Sequence, residues 1–289
     1  ELTDIFALQD EITQSAAAAI EPRLLAAEGL RSQHRAAADL DAWDMVARAM
    51  ARYWRLTGPD IEAAIAMLEA TVARHPDYGP ANSMLAFGIV LACHFGWLPA
   101  YSVPERAIPL ARRAVAIDAD DPWAHMALGY VAFVHRRTDE SIAQFQTAIA
   151  LNPNFAAAHG FIGFPLAFDG RSDAAIASIS LALRLDPHGR QDPFFTGCIG
   201  VAHYLAGRYD QAVEWARRAV QQGPEVIGVH RILCASLAQA GRIDEAREVL
   251  ARIRTLQPHI SLAWVEAMVP YTSAQMPKFL DGMRKAGLT

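Results

Sequence analysis

The sequence predicts an all-α protein, a solenoid in which antiparallel helix pairs stack side by side. A phrase of the form Gly-Arg-x-Asp-x-Ala recurs at residues 170–175, 207–212 and 241–246. A proline follows the last alanine of each copy at the same distance, as Pro187, Pro224 and Pro258. Repeats at a fixed period indicate stacked supersecondary units, and such arrays offer an extended binding surface rather than a reactive pocket.

Composition excludes several classes of function. The 289-residue chain is 53% apolar and carries a formal net charge of −5, so it has no basic field that would hold a nucleic acid backbone. The sequence has no run of about 18 apolar residues, and we expect no membrane contact. The three cysteines lack the spacing of a disulfide framework or of a zinc site.

The first 39 residues predict an amphipathic helical linker. Leu2, Ile5, Leu8, Ile12 and Ile20 fall on one face of a helix, which must be buried on the solenoid or on an upstream domain. The segment has no signal-peptide pattern and begins at a glutamate inside the helical pattern. We therefore expect a piece of a larger protein, located in the cytoplasm.

Residues 40–289 predict an array of about six helix pairs with an atypical C-terminal cap. The units are 40–78, 79–121, 122–155, 156–189, 193–226 and 227–260, and the cap begins at residue 261. Their alignment rests on three columns of small residues, where the two helices of a unit cross, and on a closing column rich in proline.

The eighth position holds Ala47, Ala86, Gly129, Gly163, Gly200 and Cys234. The twentieth holds Ala64, Ala107, Ser141, Ala175, Ala212 and Ala246. The twenty-seventh holds Thr71, Ala114, Ala148, Ala182, Ala219 and Ile253. The thirty-second holds Pro76, Ala119, Pro153, Pro187, Pro224 and Pro258, which end the second helix because proline cannot continue it. A larger side chain in a small column is expected to overpack the crossing.

The turn between the paired helices has its own pattern. Glycine is expected to end the first helix in the left-handed conformation, and aspartate follows in the first turn of the second helix. The unit 79–121 departs from this pattern with an insertion of about nine residues that contains Phe95, Trp97 and Tyr101. Insertions in repeats often lie on the binding face, but a tolerated surface loop is the alternative.

These columns and the period of about 34 residues resemble the tetratricopeptide repeat family. The resemblance implies a right-handed superhelix whose concave side is lined by the first helix of each unit. Carried onto this chain, the concave positions include Phe87, Val90, Trp123, Met126, Tyr130, Phe133, Phe164, Phe168, Phe194, Val201, Tyr204 and Arg231. Family members that clamp a peptide carboxylate use Lys, Arg and Asn there, and the single Arg231 in the four regular units argues against that role.

Two interpretations of this apolar groove remain open. In one, it holds an amphipathic helix or an apolar peptide from a partner protein, from a second copy or from the chain's own N-terminal helix. In the other, the aromatic side chains pack against each other or against that helix, since an exposed patch of this size is unusual on a monomer.

Residue patterns that suggest chemistry all have structural interpretations. His125, His159 and His230 recur at the fourth position and lack the spacing of metal ligands. The glycine pairs at 160–163 and 197–200 lie inside predicted helices rather than in a phosphate loop, and Cys234 occupies a small-residue column. We expect no catalytic residue, no metal and no cofactor.

Residues 2–13 and 279–288 carry a second resemblance, to bacterial multidomain proteins in which a TolB-like domain precedes the repeats. The N-terminus of such proteins is commonly a class III adenylate or guanylate cyclase domain, or a winged-helix DNA-binding domain. The resemblance implies a non-catalytic regulatory module that binds a protein or peptide, on a cyclase or alternatively on a transcriptional regulator. An enzyme with an unrecognised site is a third hypothesis.

Overall fold

The computed structural model describes residues 42–99, 102–187, 192–269 and 271–289, and all regular structure within them is helical. The helices are α1 (Ala42–Tyr53), α2 (Gly58–Arg74), α3 (Gly79–Phe95), α4 (Ile108–Ile117), α5 (Pro122–Val134), α6 (Thr138–Leu151), α7 (Ala156–Phe161), α8 (Gly163–Phe168), α9 (Ser172–Leu185), α10 (Asp192–Leu205), α11 (Tyr209–Gln222), α12 (Ile227–Gln239), α13 (Ile243–Leu256), α14 (Leu262–Met268) and α15 (Met276–Lys285). The predicted linker 1–39 and Tyr101 lie outside the described residues.

The helices form the predicted solenoid of pairs. Within each unit the first helix packs on the second, as α5 does on α6 and α10 on α11. Successive first helices also contact one another, as α3 and α5 do, and together they make the inner layer of the array. The all-α solenoid predicted from the repeat phrase is therefore confirmed.

The small-residue columns lie where the paired helices cross. Every member of the three columns is buried. The eighth and twentieth positions touch directly: the Ser141 hydroxyl donates a hydrogen bond to the Gly129 carbonyl, with 2.8 Å between the oxygens. A β-carbon at Gly163 would lie 2.4 Å from Cγ1 of Ile179, so the crossing of α8 and α9 has no room for one.

The turns follow the predicted chemistry. Gly170, Gly207 and Gly241 have φ values of 80°, 77° and 78°. In the unit 122–155 the equivalent residue is Arg136, which adopts φ 61° despite its side chain. Its guanidinium donates to the carbonyls of Glu266 and Val269, at 3.3 and 3.5 Å, so this turn is tied to the C-terminal cap.

One inner helix is broken where the columns predicted a continuous helix. The first helix of the unit 156–189 is divided at Ile162 into α7 and α8. Pro165 explains the break, because its ring clashes with the carbonyl four residues earlier and its nitrogen carries no hydrogen to donate. The glycine pair of this segment lies on either side of the break.

The insertion starts later than the sequence predicted. Phe95 was assigned to the inserted loop, but it is the last residue of α3, and its side chain is buried. Nothing in the sequence breaks α3 before Gly96, which caps the helix at φ 81°. After the gap at 100–101 the chain enters a π-helical turn, Val103–Ala107, that leads into α4.

The C-terminal cap folds back onto the array. Helix α15 lies against α12 so closely that a β-carbon at Gly282 would be 3.0 Å from the Ala235 carbonyl oxygen. The Tyr204 hydroxyl donates to the Lys278 carbonyl at 2.9 Å, and the Leu262 amide donates to the carbonyl of Thr289 at 3.1 Å. The last helices are thus fastened to the inner layer and to each other.

Replacing Gly163 with Leu should lower the free energy of unfolding by about 1–3 kcal/mol or more, because the new side chain must displace Ile179. Urea unfolding followed by circular dichroism measures the change. Gly228→Ala is the control, since a β-carbon there would come no closer than 3.8 Å to Phe95. If the two variants were equally stable, the crossing of α8 and α9 would not be as tightly packed as the structure indicates.

Candidate functional site

The concave positions predicted from the family resemblance are mostly buried. Nine of the twelve concave residues have little exposed surface, namely Phe87, Met126, Tyr130, Phe133, Phe164, Phe168, Phe194, Tyr204 and Arg231. Val90 is buried too, while Val201 is half-buried. Trp123 is also half-buried, at the edge, with its ring 4.6 Å from that of Phe155. The structure thus has the second arrangement, in which these side chains pack against each other.

The buried rings form one continuous cluster, which we call the aromatic core. Its members are Tyr53, Phe87, Tyr130, Phe133, Phe161, Phe164, Phe168, Phe194, Tyr271 and Phe279. Neighbouring centroids are close, for example 4.9 Å between Tyr130 and Phe161 and 4.8 Å between Phe164 and Phe194. The core therefore links α1 to the C-terminal cap along the inner layer.

The C-terminal cap completes the aromatic core. Tyr271 stacks on Phe168 with centroids 4.8 Å apart, and Phe279 lies 4.6 Å from Tyr271. Gln275 donates to the carbonyl of Phe168 at 2.8 Å, which fastens the turn before α15 to the end of α8. These residues cover apolar rings that a simple array would leave on its concave surface.

The end of α3 and the first inserted residues lie on the same inner side. Phe95 stacks on Trp97, with centroids 4.9 Å apart and planes at 19°. At Gly96 a β-carbon would come within 2.2 Å of the Trp264 ring, so α14 packs directly on this backbone. Trp97 itself remains 37% exposed and stands at the rim.

His94 lies among the rings of the aromatic core. Its Nδ1 lies 2.6 Å from the Tyr130 hydroxyl, and the rings of Phe133, Phe164 and Phe194 surround it. Burial, together with the nearby positive charge of Arg231, lowers the pKa of His94 to about 3. The imidazole is therefore neutral at physiological pH.

Arg231 is the buried charge of the site. Its side chain is 4% exposed, and the guanidinium carbon lies 5.0 Å from the centre of the Trp264 ring. Burial lowers the pKa of Arg231 to about 10, which leaves it protonated at neutral pH. Its Nη1 makes no hydrogen bond in the part of the chain that the structure describes.

A cavity of about 60 Å³ opens between these groups. Its walls include His94, Phe164, Phe194, Arg231, Tyr271 and Phe279. Most of the lining is apolar, and Arg231 supplies the formal charge.

The recurring fourth position has a structural role. Nε2 of His125, His159 and His230 each lies 2.9 Å from a backbone carbonyl six residues earlier, which belongs to the closing position of the preceding unit. Asn82 makes the same bond to the Pro76 carbonyl, also at 2.9 Å. These side chains fasten consecutive units together, and the ring nitrogen must carry the hydrogen because a carbonyl only accepts.

The other residues that could carry chemistry form no reactive site within the described segments. They hold no cluster of three or more His, Cys, Asp or Glu side chains arranged as metal ligands. Cys93, Cys198 and Cys234 are buried and free, and burial raises the pKa of each thiol, so none is a ready nucleophile. None of the described helices has both the length and the hydrophobicity needed to cross a bilayer.

Three residues of the site were missed from the sequence. His94 was placed in the insertion, although the absence of a helix breaker before Gly96 indicates that α3 continues past it. Tyr271 and Phe279 were left in the atypical cap. The apolar spacing of Met276, Phe279 and Met283 in α15 was the available signal that the cap has a buried face.

Comparison with known proteins identifies the repeats. Two family models described as tetratricopeptide repeat match the chain, one at residues 104–156, 126–190 and 166–226, the other at 203–264. Together they extend over residues 104–264, more than half of the chain. The chain belongs to the tetratricopeptide repeat family. Such repeats are protein–protein interaction modules, and their partners are proteins.

Solved structures of other proteins share this fold. The structural match to the APC/C hetero-tetramer Cut9-Hcn1 covers 96% of this chain and 48% of the matched chain, with a TM-score of 0.62 and 14% identity. The match to the human IFIT1 dimer with m7Gppp-AAAA covers 79% of this chain and 53% of the matched chain, with a TM-score of 0.65 and 15% identity. At these identities the likeness concerns the fold alone.

One curated relative matches part of the chain. The chain is 28% identical over 143 residues to "Putative adenylate cyclase 3" of Rhizobium meliloti (strain 1021). The match covers 48% of this chain and 24% of that relative. The tetratricopeptide chain thus spans about a quarter of the length of the cyclase relative that it matches.

Replacing Phe279 with Ala should lower the free energy of unfolding by about 3–5 kcal/mol and expose the aromatic core, because the ring is buried against Tyr271. Urea unfolding measures the loss, and increased fluorescence of an apolar dye at pH 7 reports the uncovered rings. Arg284→Ala, in the exposed part of the same helix, should change neither. A stable Phe279 variant without extra dye binding would contradict the covering role.

The neutral state of His94 makes stability depend on pH. In the unfolded chain its pKa returns to about 6.5, so as the pH falls the unfolded state binds the proton first and the folded state loses stability. From pH 7 to pH 5 this contribution falls by up to about 2 kcal/mol. His94→Gln should reduce the pH dependence of the urea midpoint.

His259→Gln, at an exposed histidine, is the control and should leave the dependence unchanged. If the His94 variant lost stability between pH 7 and pH 5 as steeply as the unaltered chain, the titration of His94 would not be the cause.

Proposed function

We propose that this tetratricopeptide array is a non-catalytic regulatory module that forms the C-terminal part of an adenylate cyclase. The 28% identity to a cyclase relative supports the parentage, together with the terminal sequences that resemble such multidomain proteins. The array regulates by binding a protein or peptide, and the cytoplasm, where a cyclase would meet ATP, is its proposed location.

We propose that the partner surface lies around Trp97, at the edge of the inner side, rather than on the buried concave residues. Binding at Phe87, Phe133 or Phe168 would require the array to release its own aromatic packing and its C-terminal cap. Trp97 is available without such a change, because it is 37% exposed and its ring is held by the stack on Phe95. A rigid, exposed indole is the kind of side chain that dominates interface energies.

Beside this rim the array has an open cleft. It lies between Trp54, Arg55 and Leu56 at the first unit and the segments around Pro193 and Glu225. The indole of Trp97 packs over Gly58, two residues from this cleft, so the two features form one surface. The occupants we propose are a partner protein, a second copy, or the amphipathic helix predicted at 2–20.

The parentage is tested by the coding sequence upstream of residue 1. A class III cyclase domain with its paired metal-binding aspartates would support the proposal, and the 289-residue chain alone should form no cyclic AMP from ATP. A winged-helix domain upstream would contradict it in favour of the transcriptional regulator.

The interaction surface is tested by Trp97→Ala in the 289-residue chain. We expect cross-linking to a partner or to a second copy to fall at least tenfold, because the indole is the anchor of the contact. Trp43→Ala is the matched control, as Trp43 is equally exposed at 38% and lies in α1. A monodisperse monomer in light scattering that captures only background proteins would contradict binding to a partner protein or to a second copy.

A further inference from the structure

The unpaired charge of Arg231 points to a ligand. A buried guanidinium normally has a carboxylate beside it, because removal of a charge from water is costly unless an opposite charge compensates. No ion pair joins Arg231 to a carboxylate in the described segments, and its Nη1 is left without a hydrogen bond. Among the described residues the face of Trp264 lies beside the guanidinium, and a π face compensates a positive charge less than a carboxylate does.

The cavity lies beside this unpaired group. Arg231 and Gly228, one helical turn apart on α12, both line it, and a β-carbon at Gly228 would be 3.9 Å from Nη2 of Arg231. The side chains of Phe164, Phe194 and Phe279 also line it. The site thus presents one cation at the edge of an apolar chamber.

The size of the chamber restricts the ligand. The accessible space is small, about 60 Å³, and this favours a small molecule over a nucleotide. His94 adds a neutral ring whose Nδ1 is engaged with Tyr130, which leaves Nε2 for a further partner. One permanent charge therefore calls for a ligand with one negative charge.

We propose that this cavity binds a short-chain monocarboxylate of two to four carbons, with its carboxylate on Arg231 and its hydrocarbon tail between Phe164, Phe194 and Phe279. A carboxylate matches the planar fork of a guanidinium, and the aromatic walls receive the tail. The site would make the array a receptor for a small organic acid. This binding does not depend on the parentage or on the partner surface proposed above.

The test compares propionate with propionamide on the whole 289-residue chain. The two have nearly the same shape but differ in charge, and sodium chloride at equal ionic strength serves as the background. Titration calorimetry and thermal unfolding should both give saturable binding of propionate, with propionamide at least tenfold weaker. Equal effects of the acid and the amide, or no saturable effect of the acid, would overturn the proposal.

Two variants separate the charge from the fold. Arg231→Met keeps the apolar stem and should weaken propionate at least tenfold. Arg252→Met, which removes an exposed arginine paired with Glu225 at 2.7 Å, should bind propionate as the unaltered chain does. Retention of propionate binding by Arg231→Met would overturn the assignment.

Gly228→Ala covers the case in which Arg231→Met fails to fold. Its methyl group enters the chamber beside the guanidinium without a close contact, so the fold should stay intact while propionate binds at least threefold more weakly. Unchanged binding in this variant would overturn the proposed position of the ligand. Binding of a peptide with a free C-terminal carboxylate, without binding of propionate, would also overturn it.

Discussion

Burial of the aromatic core is the constraint on which the rest of the structure depends. The inner helices present a ring at eight of the twelve concave positions, and water would have to solvate these rings if the superhelix stayed open. Contacts such as those of Phe87 with Phe161, at 5.4 Å, and of Phe168 with Tyr271 remove this surface from solvent. The cap, the long α3 and the position of Trp264 all serve this burial.

Polar groups on the inner side follow from the same constraint. Where a side chain recurs with the repeat, as at His159, its hydrogen bond recurs as well, because the backbone carbonyl that receives it is set by the period. His94 and Arg231 occur once, and the period supplies no partner for them. His94 contacts the Tyr130 hydroxyl, whereas among the described residues Arg231 has the face of Trp264 and borders the cavity.

Much of the fold could be predicted from the sequence because repeat packing is local. The small columns and the glycine turns depend on residues within one unit or in its neighbour, so aligning the units is enough to find them. The division of the inner helix at Pro165 was open to the same reasoning, since the effect of proline on a helix is local as well.

The site was predicted less completely because its contacts join distant units. The concave residues could be identified from their column, but whether they face solvent depends on Tyr271 and Phe279, which lie more than 100 residues beyond Phe168. Phe95 was misplaced because α3 is longer than the first helix of the regular units. When only the aligned positions are compared, its extra residues look like an insertion. No periodic signal marks which distant segment covers an apolar surface.

The tie from Arg136 to the carbonyls of Glu266 and Val269 has a consequence for how the molecule unfolds. A simple repeat array is quasi-one-dimensional, and its terminal units can fray while the centre remains folded. Here a turn in the third unit holds the last helices, and the rings of the first unit connect through the core to the same helices. Fraying from the C-terminus would uncover the middle of the chain, so the array is built to melt as one cooperative body rather than unit by unit.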